Sequence, residues 1–294
     1  MRISVILTTY NQPRWLKYVL TGYGAQSCRD FEVVVADDGS STETWGVVDQ
    51  LRGELAVPVV HVWQRDEGFR KTVILNRAIH AAGGDYLVFT DGDCIPRRDL
   101  AEVHASLAEE GRFLSGGYLK LSPAVSRQVT SEAVRSGEVF NASWLRGRGW
   151  KRGRRFFRLS RSRGLARFLD SVTPTRPTWN GHNASTWKEA IVEANGFDLD
   201  MGYGGLDRAL GERLENLGVR GKQIRYRAPC LHLAHRKPYR DPGVLARNRS
   251  IRERIRDQGE TRARRGLAEL GPDPHLRISV TGREPWTSAE ESET

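Results

Sequence analysis

Two carboxylates two residues apart, Asp91 and Asp93, close the apolar run Tyr86-Leu87-Val88-Phe89-Thr90. Side chains at i and i+2 face the same way on a strand. The pair therefore offers hard oxygen ligands to Mg²⁺ or Mn²⁺, with positions left open for phosphate oxygens. Asp91-Gly92-Asp93 also fits a plain turn, so its weight depends on the rest of the chain.

Other polar groups recur where apolar runs end. Thr8-Thr9-Tyr10-Asn11 closes the first run and Asp37-Asp38-Gly39-Ser40 the second. Further on, His232 and His235 follow an apolar stretch, and Asp207 follows the glycine-rich approach Gly202 to Gly205. Glycines there let backbone come close to a ligand or change conformation. Asp207 also fits a helix N-terminus, where a negative charge meets the dipole. Trp179-Asn180-Gly181-His182-Asn183 reads as a substrate wall, with an indole face for stacking and amides for bonding hydroxyls. The other reading buries Trp179 in the core and makes Asn183 a cap.

These groups need a scaffold, and the first 120 residues outline one. Apolar runs at Ile3 to Thr8, Phe31 to Ala36, Pro58 to Trp63, Tyr86 to Thr90 and Phe113 to Tyr118 read as strands. Helical patterns lie between them, near Pro13 to Gly24, Ser41 to Gly53, Lys71 to Ala82 and Arg97 to Glu110. Pro13 suits a first helical turn and Gly83-Gly84 a stop. Continuous Val/Ile/Leu strands alternating with helices predict an α/β fold, a mostly parallel sheet covered on both faces. Ligands bind such sheets at the carboxyl ends of the strands, which is where the polar clusters fall. Lys71 opens a helix whose N-terminus and cation suit phosphate.

The chain has 294 residues and a net charge of +10, which invites an anionic partner. From about Val125 to Asp170 the character changes, and the basic, aromatic-bearing run Arg146 to Arg158 suits either a solvated face or mobile loop, or a platform for an anionic acceptor or lipid headgroups. Arg247 to Arg265, with interspersed Glu, reads as an exposed helix, and Thr287 to Thr294 as a fraying tail. Three scattered cysteines, Cys28, Cys94 and Cys230, argue against a disulfide scaffold or a cysteine zinc site. No run approaches the roughly 20 apolar residues of a membrane helix. Met1-Arg2-Ile3-Ser4-Val5 lacks the apolar core of a signal peptide. The expected location is the cytoplasm or the inner face of the membrane.

Taken together, Thr8 to Asn11, Asp37 to Ser40 and Asp91 to Asp93 give a chain that resembles glycosyltransferase family 2. Asn195-Gly196-Phe197-Asp198 with Gly202-Tyr203-Gly204-Gly205-Leu206-Asp207 is similar to a segment of galactosyltransferases and chondroitin-polymerase-like enzymes. The resemblance covers about residues 3 to 240. It implies a GT-A type fold, mixed but mostly parallel, in which 1–120 is the donor half and 121–240 the acceptor and catalytic half. The basic helical insertion at about 125–170 lies within it, and 241–294 is a basic helical extension with a polar tail.

The resemblance also implies inverting transfer from a nucleotide sugar, UDP-linked by preference, to a saccharide or glycolipid acceptor in cell-surface polysaccharide synthesis. Asp207 inherits the general-base role, although Leu206 stands where the family usually has an acid. Thr8, Tyr10, Asn11, Asp38, Lys71 and Asp91 would hold the donor, with Asp38 accepting from the base. Asp93 and Asp91 with His235 and His232 would hold the metal, and imidazole would favour Mn²⁺ over Mg²⁺. Trp179, Asn180, His182, Asn183 and Gly205 would meet the sugar or acceptor. Arg77 is a further phosphate candidate.

A sugar nucleotidyltransferase would carry a Gly-rich, basic loop where Tyr10-Asn11-Gln12-Pro13 stands. A degenerate transferase would explain Leu206. A nucleic-acid binder would require a recognition module, and none is evident.

Overall fold

The computed structural model describes residues 1–151, 153–235 and 241–281. Arg152 and the tail from Thr287 to Thr294 lie outside the described residues. In chain order the first part of the chain runs β1 (Ile3–Thr9), α1 (Pro13–Gly24), β2 (Phe31–Asp37), α2 (Thr42–Glu54), β3 (Val59–Trp63), α3 (Lys71–Ala81) and β4 (Tyr86–Asp91). Then come β5 (Cys94–Pro96), α4 (Leu100–Leu107), β6 (Arg112–Ser115) and β7 (Gly117–Lys120). The basic segment supplies α5 (Pro123–Arg127), α6 (Ser131–Ser136), α7 (Ala142–Gly147), a 3-10 turn (Arg154–Leu159) and α8 (Arg163–Val172). After it follow β8 (Asn183–Trp187), α9 (Lys188–Glu193), α10 (Leu206–Asn216), β9 (Arg220–Gln223), β10 (Pro229–His232), α11 (Pro242–Gln258) and β11 (Arg277–Val280).

Eight strands form the main sheet in the order β11-β3-β2-β1-β4-β8-β6-β9. The pairs among β1 to β4 are parallel, whereas β8 runs antiparallel to both β4 and β6. Alternate residues of the central strands supply two cores. Val5, Leu7, Val33, Val35 and Val88 pack with Leu16, Leu20 and Val48 of α1 and α2. On the other face, Ile6, Val34, Ala36 and Phe89 pack with Ile74, Ala78 and Leu210 of α3 and α10. Covering both faces is why these strands read as unbroken apolar runs.

Three sequence expectations change. Phe113 to Tyr118 is two strands, because the chain leaves the main sheet at Gly116-Gly117 and enters a second, three-stranded sheet β5-β10-β7. A Cβ at Gly116 would sit 2.2 Å from Asn183 Oδ1, and one at Gly117 2.3 Å from the Arg225 carbonyl. The helix expected over Arg97 to Glu110 contracts to α4, and the segment after 240 adds β11 to the sheet edge beside α11.

Candidate active site

β1 is flanked by β2 on one side and β4 on the other, so the strand order reverses there and a crevice opens at their carboxyl ends. A cavity of about 410 Å³ occupies it, and Thr8, Tyr10, Asp38, Lys71, Asp91 and Asp93 are among its walls. Gly205, Asp207, His232 and His235 close it from the second half of the chain.

Asp91 and Asp93 reach this cavity for a different reason than strand alternation. β4 ends at Asp91, and the chain turns through Gly92-Asp93 into β5 of the other sheet. Gly92 N–H donates to the Thr8 carbonyl at 2.7 Å, fixing that turn against β1. The two carboxylates then have separate partners. Asp91 Oδ1 accepts from Lys71 Nζ at 2.6 Å and Thr8 Oγ1 at 2.8 Å. Burial pushes Asp91 up, but the adjacent Lys71 ammonium holds it well below the usual carboxylate range.

Asp93 faces the histidines. Antiparallel pairing of β10 with β5 sets His232 opposite Cys94, and Leu233 N–H donates to the Asp93 carbonyl at 2.9 Å. His235 Nε2 lies 3.0 Å and His232 Nε2 3.8 Å from Asp93 Oδ2. The imidazoles stack with centroids 5.4 Å apart. One carboxylate oxygen from the turn before β5 and two imidazole nitrogens, from the end of β10 and the residues just after it, form a donor set that fits a divalent transition metal. Cys94 Sγ also lies near this group, with ligand atoms of Asp93, Cys94 and His232 mutually within 4.8 Å. Asp91, committed to Lys71, stands beside that set.

Asp207 opens α10 across the cavity. A Cβ at Gly181 would stand 2.3 Å from Asp207 Oδ1, so the peptide at Gly181 is the wall against which that carboxylate rests. Burial pushes Asp207 up, Lys71 opposes this and Asp91 adds to it. A carboxylate raised in this way is a stronger base toward a hydroxyl.

Asp38 is prepared by its neighbours. Asp37 takes the structural work, accepting from Ser40 N–H at 2.8 Å and meeting His61 Nε2 at 3.0 Å. Asp38 accepts from Gln64 Nε2 at 2.6 Å and Arg70 N–H at 3.0 Å, yet burial pushes its carboxyl up to about 7. Tyr10 OH donates to Asp66 Oδ2 at 2.8 Å.

The structure moves several expected residues out of the cavity. Asn11, in the left-handed region at φ 47°, is a latch between loops: its N–H donates to Ser40 Oγ and its Oδ1 accepts from Ser41 N–H. Trp179 is 1% exposed and packs edge-on against Phe89 and Phe113 at 5.4 and 5.9 Å, so it is core. The Asn183 amide is consumed, donating to the Gly117 and Ala228 carbonyls and meeting His104 Nε2. Asn180 donates to Ser115 Oγ and the Thr178 carbonyl. Arg77 is ion-paired with Asp273 at 3.1 Å. His182 stays beside the site, edge-on to Tyr118 at 4.7 Å, and burial pulls it down to about 4, which keeps it neutral at pH 7.

Two contributors escape sequence reading. Gln64 sits at the exit of β3, and the rule that flagged the other strand exits applies to it as well. Asn248 gives no such signal, lying inside the basic helix α11 and only 1% exposed. Its Nδ2 reaches the Gly202, Tyr203 and Gly204 carbonyls at 3.1, 3.1 and 2.6 Å, pinning the glycine loop that leads into Asp207. Gly204 and Gly205 hold φ of 99° and 92°, where a side chain would be strained. Asn248→Ala should cost about 1–3 kcal/mol of stability. It should also lower kcat about tenfold with little change in donor KM, read from a melt and from steady-state kinetics.

Comparison with known proteins identifies the family and the fold. The sequence model described as Glycosyl transferase family 2 matches residues 4–167. Dolichol-phosphate mannosyltransferase of Pyrococcus furiosus is 28% identical over 147 residues, 47% of this chain and 41% of that protein. Poly(ribitol-phosphate) β-N-acetylglucosaminyltransferase TarS of Staphylococcus aureus is 30% identical over 112 residues, 37% of this chain and 19% of that protein. The chain thus spans less than half the length of these relatives. Among solved structures, TarS 1-349 in complex with UDP-GlcNAc superimposes with a TM-score of 0.55 at 18% identity, covering 85% of this chain and 65% of that one. The mannosyltransferase PcManGT of Pyrobaculum calidifontis, in complex with GDP-Man and Mn²⁺, gives 0.53 at 23% identity, covering 81% and 58%. These likenesses establish the GT-A type of fold. Because the family match takes in more than half of its residues, the chain belongs to glycosyltransferase family 2.

Proposed function

We propose that this protein is an inverting, metal-dependent glycosyltransferase that moves a sugar from a nucleotide donor, UDP-linked by preference, to a saccharide or glycolipid acceptor. The observation that carries it is the convergence of Asp93 with two imidazoles, and of Asp207, on one cavity at the carboxyl ends of the sheet. A divalent metal, Mn²⁺ before Mg²⁺, would neutralise the diphosphate leaving group electrostatically, and Asp93, His235 and His232 would hold it. Lys71, at the first turn of α3, would release part of its hold on Asp91 to meet a phosphate oxygen. Asp207 takes the proton of the acceptor hydroxyl as that oxygen bonds to the anomeric carbon and the nucleotide diphosphate departs from the opposite face.

The basic segment supports an anionic acceptor in cell-surface polysaccharide synthesis, met at the inner face of the membrane. Among the described residues no helix is long and apolar enough to cross a membrane. The experiment is binding and slow hydrolysis of a panel of UDP- and GDP-sugars with Mn²⁺, Mg²⁺ or EDTA. Metal-dependent engagement of one donor is expected, and no engagement with any metal would sink the reading.

Asp38 adds a pH signature. Gln64 and the Arg70 N–H favour its charged form, while burial and neighbouring Asp37 oppose it. A carboxyl raised from about 3.9 to about 7 keeps its proton in the folded state over that interval, so this group's contribution to stability falls as pH climbs through it. Donor binding runs the other way, because the charged carboxylate accepts a base N–H more strongly than the neutral acid does. UDP affinity should weaken about tenfold between pH 8 and pH 6, and Asp38→Asn should remove that slope in titration calorimetry.

A further inference from the structure

Residues 139 to 169 carry ten Lys/Arg and no Asp/Glu, so the chain's entire net charge of +10 resides there while the rest balances at 36 against 36. The same stretch breaks the usual burial pattern. α8 turns Ala166 and Asp170 inward, and Asp170 accepts from Arg227 Nε and Tyr226 N–H, both at 2.8 Å. On the opposite side, at i, i+3 and i+7, Leu165, Phe168 and Val172 are 39%, 59% and 52% exposed. Phe157, on the 3-10 turn before α8, is 47% exposed. Half of the large hydrophobic side chains exposed among the described residues thus fall within residues 157–172. Single exposed apolar residues need no explanation, but a contiguous set rimmed by charge marks an interaction surface. The rim is Arg155, Arg161, Arg163 and Arg167, all exposed.

An apolar helical stripe beside cations fits a bilayer interface, where side chains enter the headgroup boundary and guanidinium groups meet anionic headgroups. A nucleic acid would use the cations but gain nothing from Leu165 and Val172. The basic turn before α8 also reaches the surroundings of the cavity. The Arg155 guanidinium lies 4.9 Å over the Tyr118 ring, and Tyr118 packs against His182 and His232.

We infer that Arg155 to Val172 form an interfacial anchor that seats the protein on anionic lipid, with Phe157, Leu165, Phe168 and Val172 inserted and the arginines on the headgroups. This deepens the acceptor reading given above, since a site opening beside the anchor would take its acceptor from the bilayer surface.

The test is sedimentation of the full chain with vesicles of phosphatidylcholine, alone or with about one-third phosphatidylglycerol. Wild type should bind the mixed vesicles at least about tenfold more strongly than the neutral ones. Phe168→Ser with Val172→Ser, and separately Arg161→Glu with Arg167→Glu, should each reduce that binding about tenfold while leaving donor hydrolysis unchanged. The anchor is overturned if wild type ignores anionic vesicles or if the serine variant binds them like wild type. It is equally overturned if the serine change abolishes a dimer seen without lipid, or if an oligonucleotide displaces the vesicles. Vesicle binding is read without donor, so its loss overturns the anchor alone. Failed donor hydrolysis with vesicle binding intact overturns the transferase reading alone.

Discussion

Asp93→Ala should lower turnover at least about 10³-fold and abolish metal-dependent nucleotide binding, because it removes the only carboxylate in contact with both His232 and His235 among the described residues. Lost stability will not explain that result. Burial pushes the Asp93 carboxyl up, the imidazoles oppose this and Asp91 reinforces it, so the wild-type charge is held at a cost to folding. The variant should therefore melt within a few degrees of wild type. Its counterpart is chelation: EDTA should reduce wild-type donor binding to the level of the variant and leave the variant unmoved. Retention of Mn²⁺-dependent UDP binding by Asp93→Ala, followed by fluorescence or calorimetry, would move the metal site elsewhere.

The second large effect is at Asp207. Asp207→Asn keeps the shape of the side chain against Gly181 but can no longer take a proton, so turnover should fall about 10²- to 10⁴-fold. Donor affinity should change less than about twofold, since in the proposed reading the donor's phosphates and base would fall to Lys71, the Asp93 group and Asp38. The combination separates base catalysis from donor binding and speaks directly to Leu206. A chain that had lost its base function would show no turnover in wild type, and full turnover in Asp207→Asn would place the base on another residue.

The legible part of this protein was its first ninety or so residues. β1, β2 and β4 each fall within one residue of the apolar runs that announced them, and α1 runs from Pro13 to Gly24 as read. Burial on both faces writes itself into consecutive Val, Ile and Leu, so local pattern suffices. The polar strand exits were legible for the same reason: Thr8, Asp38 and Asp91 interrupt those runs at the cavity. What failed depended on partners distant in sequence. Trp179 and Asn183 have the chemistry of sugar contacts, but Phe89, Phe113, His104 and two carbonyls consume it. Asp93 was read from the sequence, but it joins the site through a turn between sheets rather than by strand alternation, and Asn248 was missed because its amide is aimed at a loop more than forty residues away. No periodicity encodes either.

β11 has a consequence for how the protein is made. The motifs all lie before residue 240, yet β3 has no outer neighbour until Arg277 to Val280 pair with it. Its sequence, Val59-Val60-His61-Val62-Trp63, is the apolar, uncharged kind of edge that recruits strands from other chains. During synthesis that edge is laid down early and waits for more than two hundred further residues to leave the ribosome. The interval is a period of exposure, because so long-range a pairing forms late. A polypeptide ended after the last recognisable motif would make that exposure permanent.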